Sequence, residues 1–280
     1  MTDPIRLGIF GWPVAHSKSP QMHESAARAL GIKLGYERFE VAPADLAARV
    51  RQKHEAAIDG YNLTVPHKEA IMTLVDEVSP AARAIGAVNT VVRADGQYVG
   101  RNTDAPGFVR SLEEAGVELA NARVVVIGAG GAARAAVVGL AEAGADEISV
   151  LSRRPEQGAA LRDSLAKHVD CALESAALSE GSWYFETATL LVQATSATLE
   201  SNPGSADFAA SLPIDALPID AAVVDMVYKP LETSVLARAR NRGLRVVDGL
   251  GMLLHQGAIA FEMWTGLEPP LDVMRSALND

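Results

Sequence analysis

An apolar strand pattern, a glycine-rich turn and a long helical pattern follow one another without interruption over residues 123–143. The turn reads Gly128-Ala-Gly130-Gly131-Ala-Ala133, a G-x-G-x-x-A pattern. Gly128 permits a tight turn, Gly130 lets the backbone approach a pyrophosphate, and the small Ala133 lets helix and strand pack closely. The free N–H groups at the start of the helix would then bind the diphosphate. This segment predicts a Rossmann dinucleotide-binding turn, with a merely tight connection as the alternative.

The next predicted strand ends in Ser152-Arg153-Arg154. An NAD site usually has an acidic residue about 20 positions after the turn, where it holds the ribose 2′-hydroxyl. Two arginines beside a helix that starts near Pro155 face the positive end of its dipole, which is unfavourable unless an anion binds there. Because a 2′-phosphate is such an anion, the sequence predicts NADP as the cofactor. Two solvated loop arginines are the alternative.

Short β-branched or apolar runs alternate with longer alanine-rich stretches along the chain, which is typical of βα units and mostly parallel sheets. The predicted strands are 7–10, 36–41, 61–65, 88–92, 124–127, 148–151, 190–192, 223–227 and 245–247. The predicted helices are 19–30, 44–53, 103–115, 132–143, 156–167, 233–242 and 250–265. Three prolines predict loop with short helical turns over residues 201–220.

The glycine-rich turn is preceded by about 120 residues, enough for a separate domain. We therefore predict an α/β protein of two domains with a cleft between them. Residues 1–104 and 245–280 are expected to form an N-terminal α/β substrate domain, to which the C-terminal helices return. Residues 105–244 are expected to form the Rossmann dinucleotide-binding domain.

The composition limits the possible partners. With 280 residues, a formal net charge of -10 and no more than two neighbouring lysines or arginines anywhere, the chain lacks the basic patch that nucleic acids or an anionic membrane require. A single cysteine excludes an internal disulfide and fits a reducing compartment, and no signal peptide is recognisable, so a cytoplasmic location is expected. The six histidines show no metal-ligand spacing, and no metal site is predicted.

Two loops in the first half carry reactive side chains at predicted helix starts. Ser17 and Ser19 precede Pro20, which suits the first helical position with Ser19 as the N-cap. Hydroxyls beside unpaired N–H groups would hold a substrate carboxylate, with a simple capped helix as the alternative. Lys68 closes the segment 62–68, where the positive end of a helix dipole would help to poise it for proton transfer. The alternative for Lys68 is a surface charge.

Taken together, these segments make the chain resemble the shikimate dehydrogenase family over nearly its whole length. The resemblance is carried by an ordered set of motifs: GxPVxHSxSPxMH from Gly11, NxTVPxK from Asn62, GAVNT from Gly86, GxNTD from Gly100, GAGGAARA from Gly128, DxVYxPxxT from Asp225, DGLxMLxxQ from Asp248 and FExWTG from Phe261. Each motif alone is weak evidence for the family, whereas the whole set in this order is specific to it.

The resemblance implies NADP-dependent, reversible reduction of 3-dehydroshikimate to shikimate in the aromatic amino-acid pathway that leads to chorismate. The implied substrate-binding residues are Ser17, Ser19, Thr64, Asn89, Asp104, Tyr228 and Gln256, with Lys68 and Asp104 as the catalytic pair. The implied cofactor-binding residues are Gly128, Gly130, Gly131, Ala132, Ser152, Arg153, Arg154, Thr195, Val227, Gly249 and Met252, the last near the nicotinamide.

The chemistry of alcohol oxidation agrees with this assignment. The hydroxyl proton must leave while a hydride departs from the same carbon, so a base is needed within about 3 Å of that oxygen. Lys68 is the predicted acid/base, and Asp104 is predicted to orient the same hydroxyl. In the reductive direction the ammonium group of Lys68 would donate the proton and stabilise the developing alkoxide.

Several alternatives stay open. A paralogue of the family would act on quinate or a related cyclohexane carboxylate, with NAD as a further option. A non-catalytic, redox-sensing regulator would need the Rossmann turn but neither Lys68 nor Asp104. Gln193 and Ser152 stand where the family usually has Asn, so the details of the cofactor loop remain open. Monomer and homodimer are both compatible with the sequence.

Overall fold

Two six-stranded sheets organise the protein in the computed structural model, which describes residues 3–279. Each sheet belongs to its own compact unit. The first unit comprises Met1–Thr103 and Gln256–Asp280, and the second comprises Asp104–His255.

The first unit is built on a mixed sheet. Its elements are β1 (Ile5–Gly11), α1 (Ser19–Ala29), β2 (Leu34–Glu40), α2 (Leu46–Glu55), β3 (Gly60–Leu63), β4 (Glu77–Val78), α3 (Pro80–Ile85), β5 (Thr90–Ala94) and β6 (Gln97–Arg101). The strand order is β2-β1-β3-β5-β6-β4. β1 pairs in parallel with β2 and β3, whereas β5 runs antiparallel to both β3 and β6.

The second unit carries a fully parallel sheet. Its elements are α4 (Asp104–Glu114), β7 (Arg123–Ile127), α5 (Gly131–Glu142), β8 (Glu147–Ser152), α6 (Pro155–Leu165), β9 (Ala172–Ala177), α7 (Ser182–Thr187), β10 (Leu190–Gln193), α8 (Ser205–Ser211), β11 (Ala222–Asp225), α9 (Ser234–Asn241) and β12 (Arg245–Val247). The order β12-β11-β10-β7-β8-β9 is that of a Rossmann sheet, with the topological switch point between β7 and β10. Four central strands are apolar because both of their faces are covered.

The C-terminal helices α10 (Leu250–Thr265) and α11 (Leu271–Asn279) complete the chain. α11 packs against α1, where Lys18 Nζ donates to the carbonyl of Leu278 at 2.5 Å and Gln21 Nε2 donates to that of Ala277 at 3.0 Å. The α/β class, the Rossmann sheet and the return of the C-terminal helices to the first unit are therefore as the sequence predicted.

The sequence and the structure differ over where the second unit ends. Residues 245–255 were expected in the substrate domain, but β12 pairs in parallel with β11 and extends the second sheet. The division between the units falls between His255 and Gln256, inside α10. The first sheet is also less parallel than expected, because β5 and β6 form a hairpin through Asp95 and Gly96, both with positive φ.

None of the helices within residues 3–279 combines the length and the apolar character needed to cross a lipid bilayer.

Candidate active site

Loops from four strands meet at one edge of the first sheet. β1 and β3 are parallel, so the loops that follow Gly11 and Leu63 leave at the same edge. β5 runs in the opposite direction and starts at that edge, and β6 ends there, since Thr90 pairs with Arg101. The predicted substrate residues of this unit, apart from Gln256 on α10, lie on or beside these strand ends.

Ser17 and Ser19 lie together at the start of α1. The N-cap lies one residue earlier than predicted. α1 begins at Ser19, Lys18 occupies the N-cap position in a helical conformation, and Pro20 lies in the first turn. Ser17 Oγ accepts a hydrogen bond from the N–H of Ser19 at 3.3 Å. Both serines therefore lie at the start of the helix, where its N–H groups make a suitable place for a carboxylate.

Thr64, Lys68 and Asn89 are held by backbone pairing at the same edge. The carbonyl of Asn89 accepts from the N–H of Leu63 at 2.8 Å, and the carbonyl of Lys68 accepts from the N–H of Val88 at 2.8 Å. Thr64 N–H donates to the carbonyl of Phe10 at 2.9 Å, and a Cβ at Gly11 would lie 2.5 Å from the Thr64 methyl. Glycine at position 11 thus permits the close approach of the loops after β1 and β3.

The helix expected to begin at Lys68 is absent. Residues 64–69 form turns, and the segment that follows, Ala70–Thr73, is one short 3-10 turn. Lys68 therefore precedes a four-residue segment, and the expected contribution from an α-helix dipole has no structural basis. The position of Lys68 depends instead on its backbone pairing with Val88 and on its buried neighbour His67, whose ring contacts the carbonyl of Val41 at 2.8 Å.

A buried polar network lies behind the predicted substrate residues. Asn89 Nδ2 donates to Thr103 Oγ1 at 2.9 Å, and Asn89 Oδ1 accepts from the Thr103 N–H at 2.8 Å. Asn62 Nδ2 donates to the carbonyl of Asn89 at 3.1 Å and to Thr90 Oγ1 at 3.0 Å. Asn62 is 4% exposed, which is unusual for a strand asparagine. Asn62 is not among the site residues predicted from the sequence, although it opens the motif that ends at Lys68.

Gln256 belongs to the first unit, where it lies on α10. The next residue, Gly257, lies against α1, because an added Cβ would come within 2.1 Å of the Met22 methyl group. His23, beside Met22, is fully buried among aromatic rings, and neither ring nitrogen has a hydrogen-bond partner among the described residues. Burial lowers the pKa of His23 to about 3, so the ring is neutral at physiological pH.

In the second unit, the glycine-rich turn lies beside the switch point of the sheet. Gly128 has a φ of +122°, and a Cβ there would lie 2.9 Å from the Thr195 methyl and 3.1 Å from the carbonyl oxygen of Ala194. The turn after β7 and the loop after β10 therefore touch at Gly128. This is the position at which open α/β sheets bind ligands.

The start of α5 is open to a ligand. Gly130 is exposed and extended, and a Cβ at Gly130 or Gly131 would meet no protein atom within 4 Å. Packing within the protein therefore does not require these glycines. The first turn of α5 has no acidic residue and no side-chain cap, and Ala132 is also exposed. A free, uncapped helix start fits a diphosphate.

Ser152, Arg153 and Arg154 connect β8 to α6. Ser152 is buried and its hydroxyl donates to the carbonyl of Arg154 at 2.8 Å, while a Cβ at Gly158 would approach the same hydroxyl to 2.8 Å. Both arginines are exposed, and neither forms an ion pair within the described residues. They carry two positive charges at the start of a helix, so the loop suits a phosphate monoester.

Gln193 joins the loops that follow β10 and β11. Its amide oxygen accepts from the N–H and the hydroxyl of Thr195, both at 2.7 Å, and its amide nitrogen donates to Thr198 Oγ1 at 2.8 Å and to Asp225 Oδ1 at 3.2 Å. Asp225 also accepts from the Val227 N–H at 3.0 Å and from the Thr233 hydroxyl at 2.7 Å. The departure at Gln193 therefore keeps the loop ordered.

The Asp225 carboxyl group is fully buried within this cluster. Burial raises its pKa, and hydrogen bonds from Val227, Thr233, Thr198 and Gln193 oppose that shift. The carboxyl group has no cationic partner among the described residues, so its hydrogen bonds alone compensate for burial.

The remaining predicted residues lie in the second unit. Asp104 is the first residue of α4 and is 7% exposed. Gly249 lies close to the loop after β11, because a Cβ there would meet the Met226 carbonyl oxygen at 2.5 Å. Met252 follows in the first turn of α10, and Tyr228 is partly exposed directly after Val227.

Among residues 3–279 no group of three or more His, Cys, Asp or Glu side chains could hold a metal ion.

Comparison with known proteins accounts for this arrangement. Three family models match successive parts of the chain: the shikimate dehydrogenase substrate binding domain over residues 9–91, shikimate/quinate 5-dehydrogenase over residues 111–201, and the shikimate 5'-dehydrogenase C-terminal domain over residues 249–278. Shikimate dehydrogenase (NADP(+)) of Symbiobacterium thermophilum is 42% identical over 97% of this chain and 92% of its own length. The chain belongs to the shikimate dehydrogenase family.

Solved structures of shikimate dehydrogenase family members are similar over the whole chain. Shikimate 5-dehydrogenase from Thermus thermophilus, in complex with NADP(H) and shikimate, is 40% identical and covers 98% of both chains with a TM-score of 0.86. Quinate dehydrogenase from Corynebacterium glutamicum, in complex with NAD, is 33% identical and covers 99% of both chains with a TM-score of 0.91. Solved structures with this fold thus include a shikimate dehydrogenase and a quinate dehydrogenase, one in complex with NADP(H) and the other with NAD.

Proposed function

We propose that this protein is an NADP-dependent shikimate dehydrogenase that reversibly reduces 3-dehydroshikimate to shikimate. The observation that carries the proposal is 42% identity to shikimate dehydrogenase (NADP(+)) across 97% of the chain. The two strand-edge sites described above support it, because one suits a carboxylate and the other a dinucleotide with a phosphate monoester.

The substrate is proposed to bind at the edge of the first sheet. Ser17 and Ser19 would take the carboxylate at the start of α1, and Thr64 and Asn89 would bind ring hydroxyls. Asp104, Tyr228 and Gln256 are proposed to complete the set. The buried partners of Asn89 support this role, because they fix its amide so that little side-chain entropy is lost on binding.

Lys68 is the proposed acid/base. In the oxidative direction its amine accepts the hydroxyl proton of the substrate, and in the reductive direction its ammonium group returns that proton to the carbonyl oxygen. Asp104 is proposed to orient the same hydroxyl. Lys68 is held by a loop whose backbone is paired at both ends, which suits a residue that must stay at a fixed distance from the reacting oxygen.

The proposed cofactor residues follow the C-terminal ends of strands in the second sheet. Gly128, Gly130, Gly131 and Ala132 would hold the diphosphate, and Ser152, Arg153 and Arg154 would hold the adenosine 2′-phosphate. Thr195, Val227, Gly249 and Met252 are proposed to border the nicotinamide. Held by these residues, NADP would supply the hydride acceptor for the oxidation of shikimate and, in its reduced form, the hydride donor for the reverse reaction.

A quinate dehydrogenase using NAD is the second candidate, favoured by the similarity to the quinate dehydrogenase structure. The loop after β8 argues against it. An NAD site places an acidic side chain there, whereas this chain has two exposed arginines.

The test is a comparison of four reactions of the purified protein, followed by the absorbance of the reduced nicotinamide: shikimate or quinate, each with NADP or NAD. The proposal predicts the highest kcat/KM with shikimate and NADP. A higher kcat/KM with quinate would overturn the substrate assignment, and one with NAD would overturn the cofactor assignment. The absence of turnover in all four reactions would favour a non-catalytic nucleotide-binding protein.

We also propose a cytoplasmic location and a monomeric or homodimeric protein. Both proposals rest on the sequence.

A further inference from the structure

Two residues of the edge strand β2 contact the segment that carries the proposed carboxylate ligands, one at the Ser17 loop and the other at α1. Tyr36 and Arg38 are two positions apart, so their side chains lie on the same face of β2. Arg38 Nε and Nη2 both donate to the carbonyl oxygen of Ser17, at 3.2 and 2.7 Å. One guanidinium group thus holds the peptide that follows Ser17 with two hydrogen bonds.

Tyr36 contacts α1 and the buried polar network. It is 5% exposed, its ring is stacked on His23 of α1, and its hydroxyl donates to Asn62 Oδ1 at 2.6 Å. Burial raises the pKa of Tyr36, so the phenol stays protonated and remains a donor. Asn62 connects Tyr36 to the buried network that holds Asn89.

Aromatic rings fix the orientation of Tyr36. The His23 ring is stacked on it, with centroids 4.8 Å apart and an interplanar angle of 11°. Trp264 lies 6.2 Å from the Tyr36 ring, and its indole N–H donates to the carbonyl of Val91 at 2.9 Å. Because these neighbours are buried or hydrogen-bonded, the phenol oxygen has little freedom to move.

We propose that Tyr36 and Arg38 are positioning residues for the substrate carboxylate. Arg38 fixes the Ser17 peptide and places a positive charge behind it. Tyr36 is stacked on His23 and hydrogen-bonded to Asn62, so it fixes α1, the helix that begins at Ser19, against the buried network. This inference rests on the proposed function and deepens it, since it adds a layer of residues behind the carboxylate ligands. Neither residue belongs to the motifs that carry the family resemblance.

The test compares Arg38→Gln, Arg38→Lys and Tyr36→Phe with the wild type, using shikimate and its neutral carboxamide as substrates. Arg51→Gln, an exposed arginine on α2 of the same unit, is the matched control. Arg38→Gln is expected to raise the KM for shikimate roughly tenfold, because it loses both hydrogen bonds to the Ser17 carbonyl. Tyr36→Phe is expected to raise it roughly fivefold, because it loses the hydrogen bond to Asn62 that fixes Tyr36 against α1. The KM for NADP and the kcat stay within about twofold of wild type.

Two further readouts separate positioning from general damage. Arg38→Lys keeps the positive charge but not the pair of hydrogen bonds to the Ser17 carbonyl. Its KM for shikimate is expected to lie between those of the wild type and Arg38→Gln. The ratio of kcat/KM for shikimate to that for the carboxamide falls in Arg38→Gln, because only the acid depends on the ordered anion site. An equal loss with both substrates, an unchanged KM for shikimate, or a matching loss in Arg51→Gln would overturn the inference. Failure of the wild type itself to turn over shikimate would overturn the proposed function, and with it this inference.

Discussion

At the scale of single residues, the proposed cofactor preference depends on Arg153 and Arg154. Both are exposed at the start of α6, and a 2′-phosphate there would accept charge-assisted hydrogen bonds. Replacing each by Gln is expected to raise the KM for NADP roughly tenfold or more and to leave the KM for NAD within about twofold. Steady-state kinetics with both cofactors checks this. Arg110→Gln, an exposed arginine on α4, is the control, and equal effects on NADP and NAD would contradict the assignment.

His23 makes a separate prediction about stability. Its ring is fully buried with both nitrogens unpartnered among the described residues, and burial lowers its pKa from 6.5 to about 3. Between these values the unfolded chain binds one more proton than the folded chain, so stability falls as the pH falls. His23→Phe removes this contribution. The difference in unfolding free energy between the variant and the wild type is expected to grow by about 1.4 kcal/mol for each pH unit below 6.5.

Denaturant unfolding at pH 7, 6, 5 and 4 measures this difference. At pH 7 the variant is expected to be about 1–2 kcal/mol more stable, because a buried polar group without partners is replaced by an apolar ring. His168→Gln, at an exposed histidine, should leave the pH dependence unchanged. A constant difference between His23→Phe and wild type at all four pH values would contradict the account of His23.

The sequence alone names candidate site residues in short motifs, and the structure places most of these motifs at strand ends. The sequence did not reveal Tyr36, Arg38 or Asn62 as partners of the substrate site. Arg38 reaches the Ser17 carbonyl, and Tyr36 reaches Asn62 on β3, only because β2 pairs with β1. Contacts of this kind depend on sheet register, and one sequence without an alignment does not determine which distant strand lies alongside.

At the scale of secondary-structure elements, the β7–α5 turn separates two roles of glycine. Gly128 has a φ of +122° and touches Thr195, so Gly128→Ala is expected to lower the unfolding free energy by about 2 kcal/mol. Gly130 is extended and faces open space, so Gly130→Ala should fold with wild-type stability but bind NADP at least tenfold more weakly. Thermal unfolding and cofactor titration test the pair. Equal stability losses in both variants would contradict the distinction.

Strands with apolar or β-branched runs were predictable, including the edge strands β2 and β12, whereas β4, β6 and β9 were not. The predictions 124–127 and 148–151 fall within one residue of β7 and β8. β9, with the sequence ALESAA, has little β-propensity and depends on pairing with β8. β6 was missed although Asp95-Gly96 is a recognisable hairpin turn. The α-helix expected at Lys68 is not formed. The chain makes turns over residues 64–69 and then a single 3-10 turn, Ala70–Thr73.

At the scale of the whole molecule, the alternation of strands and helices predicted an α/β protein with a Rossmann sheet and C-terminal helices that return to the first unit. The end of the second unit was harder to predict from the sequence. The division falls inside α10, which continues without a break from Leu250 to Thr265. Helical periodicity does not show which neighbours each half of a helix contacts. The short strand β12 could have indicated the later boundary, since it extends the parallel sheet.

Lys68 is the residue through which this chain is proposed to oxidise shikimate with NADP. The most direct measurement is the rate of NADP reduction by shikimate in the wild type and in Lys68→Met, with NADP binding measured in both. The account predicts that kcat falls by about 10²–10⁴, the range for loss of a general acid/base, while the Kd for NADP changes less than about twofold. A Lys68→Met protein that kept wild-type kcat would contradict it.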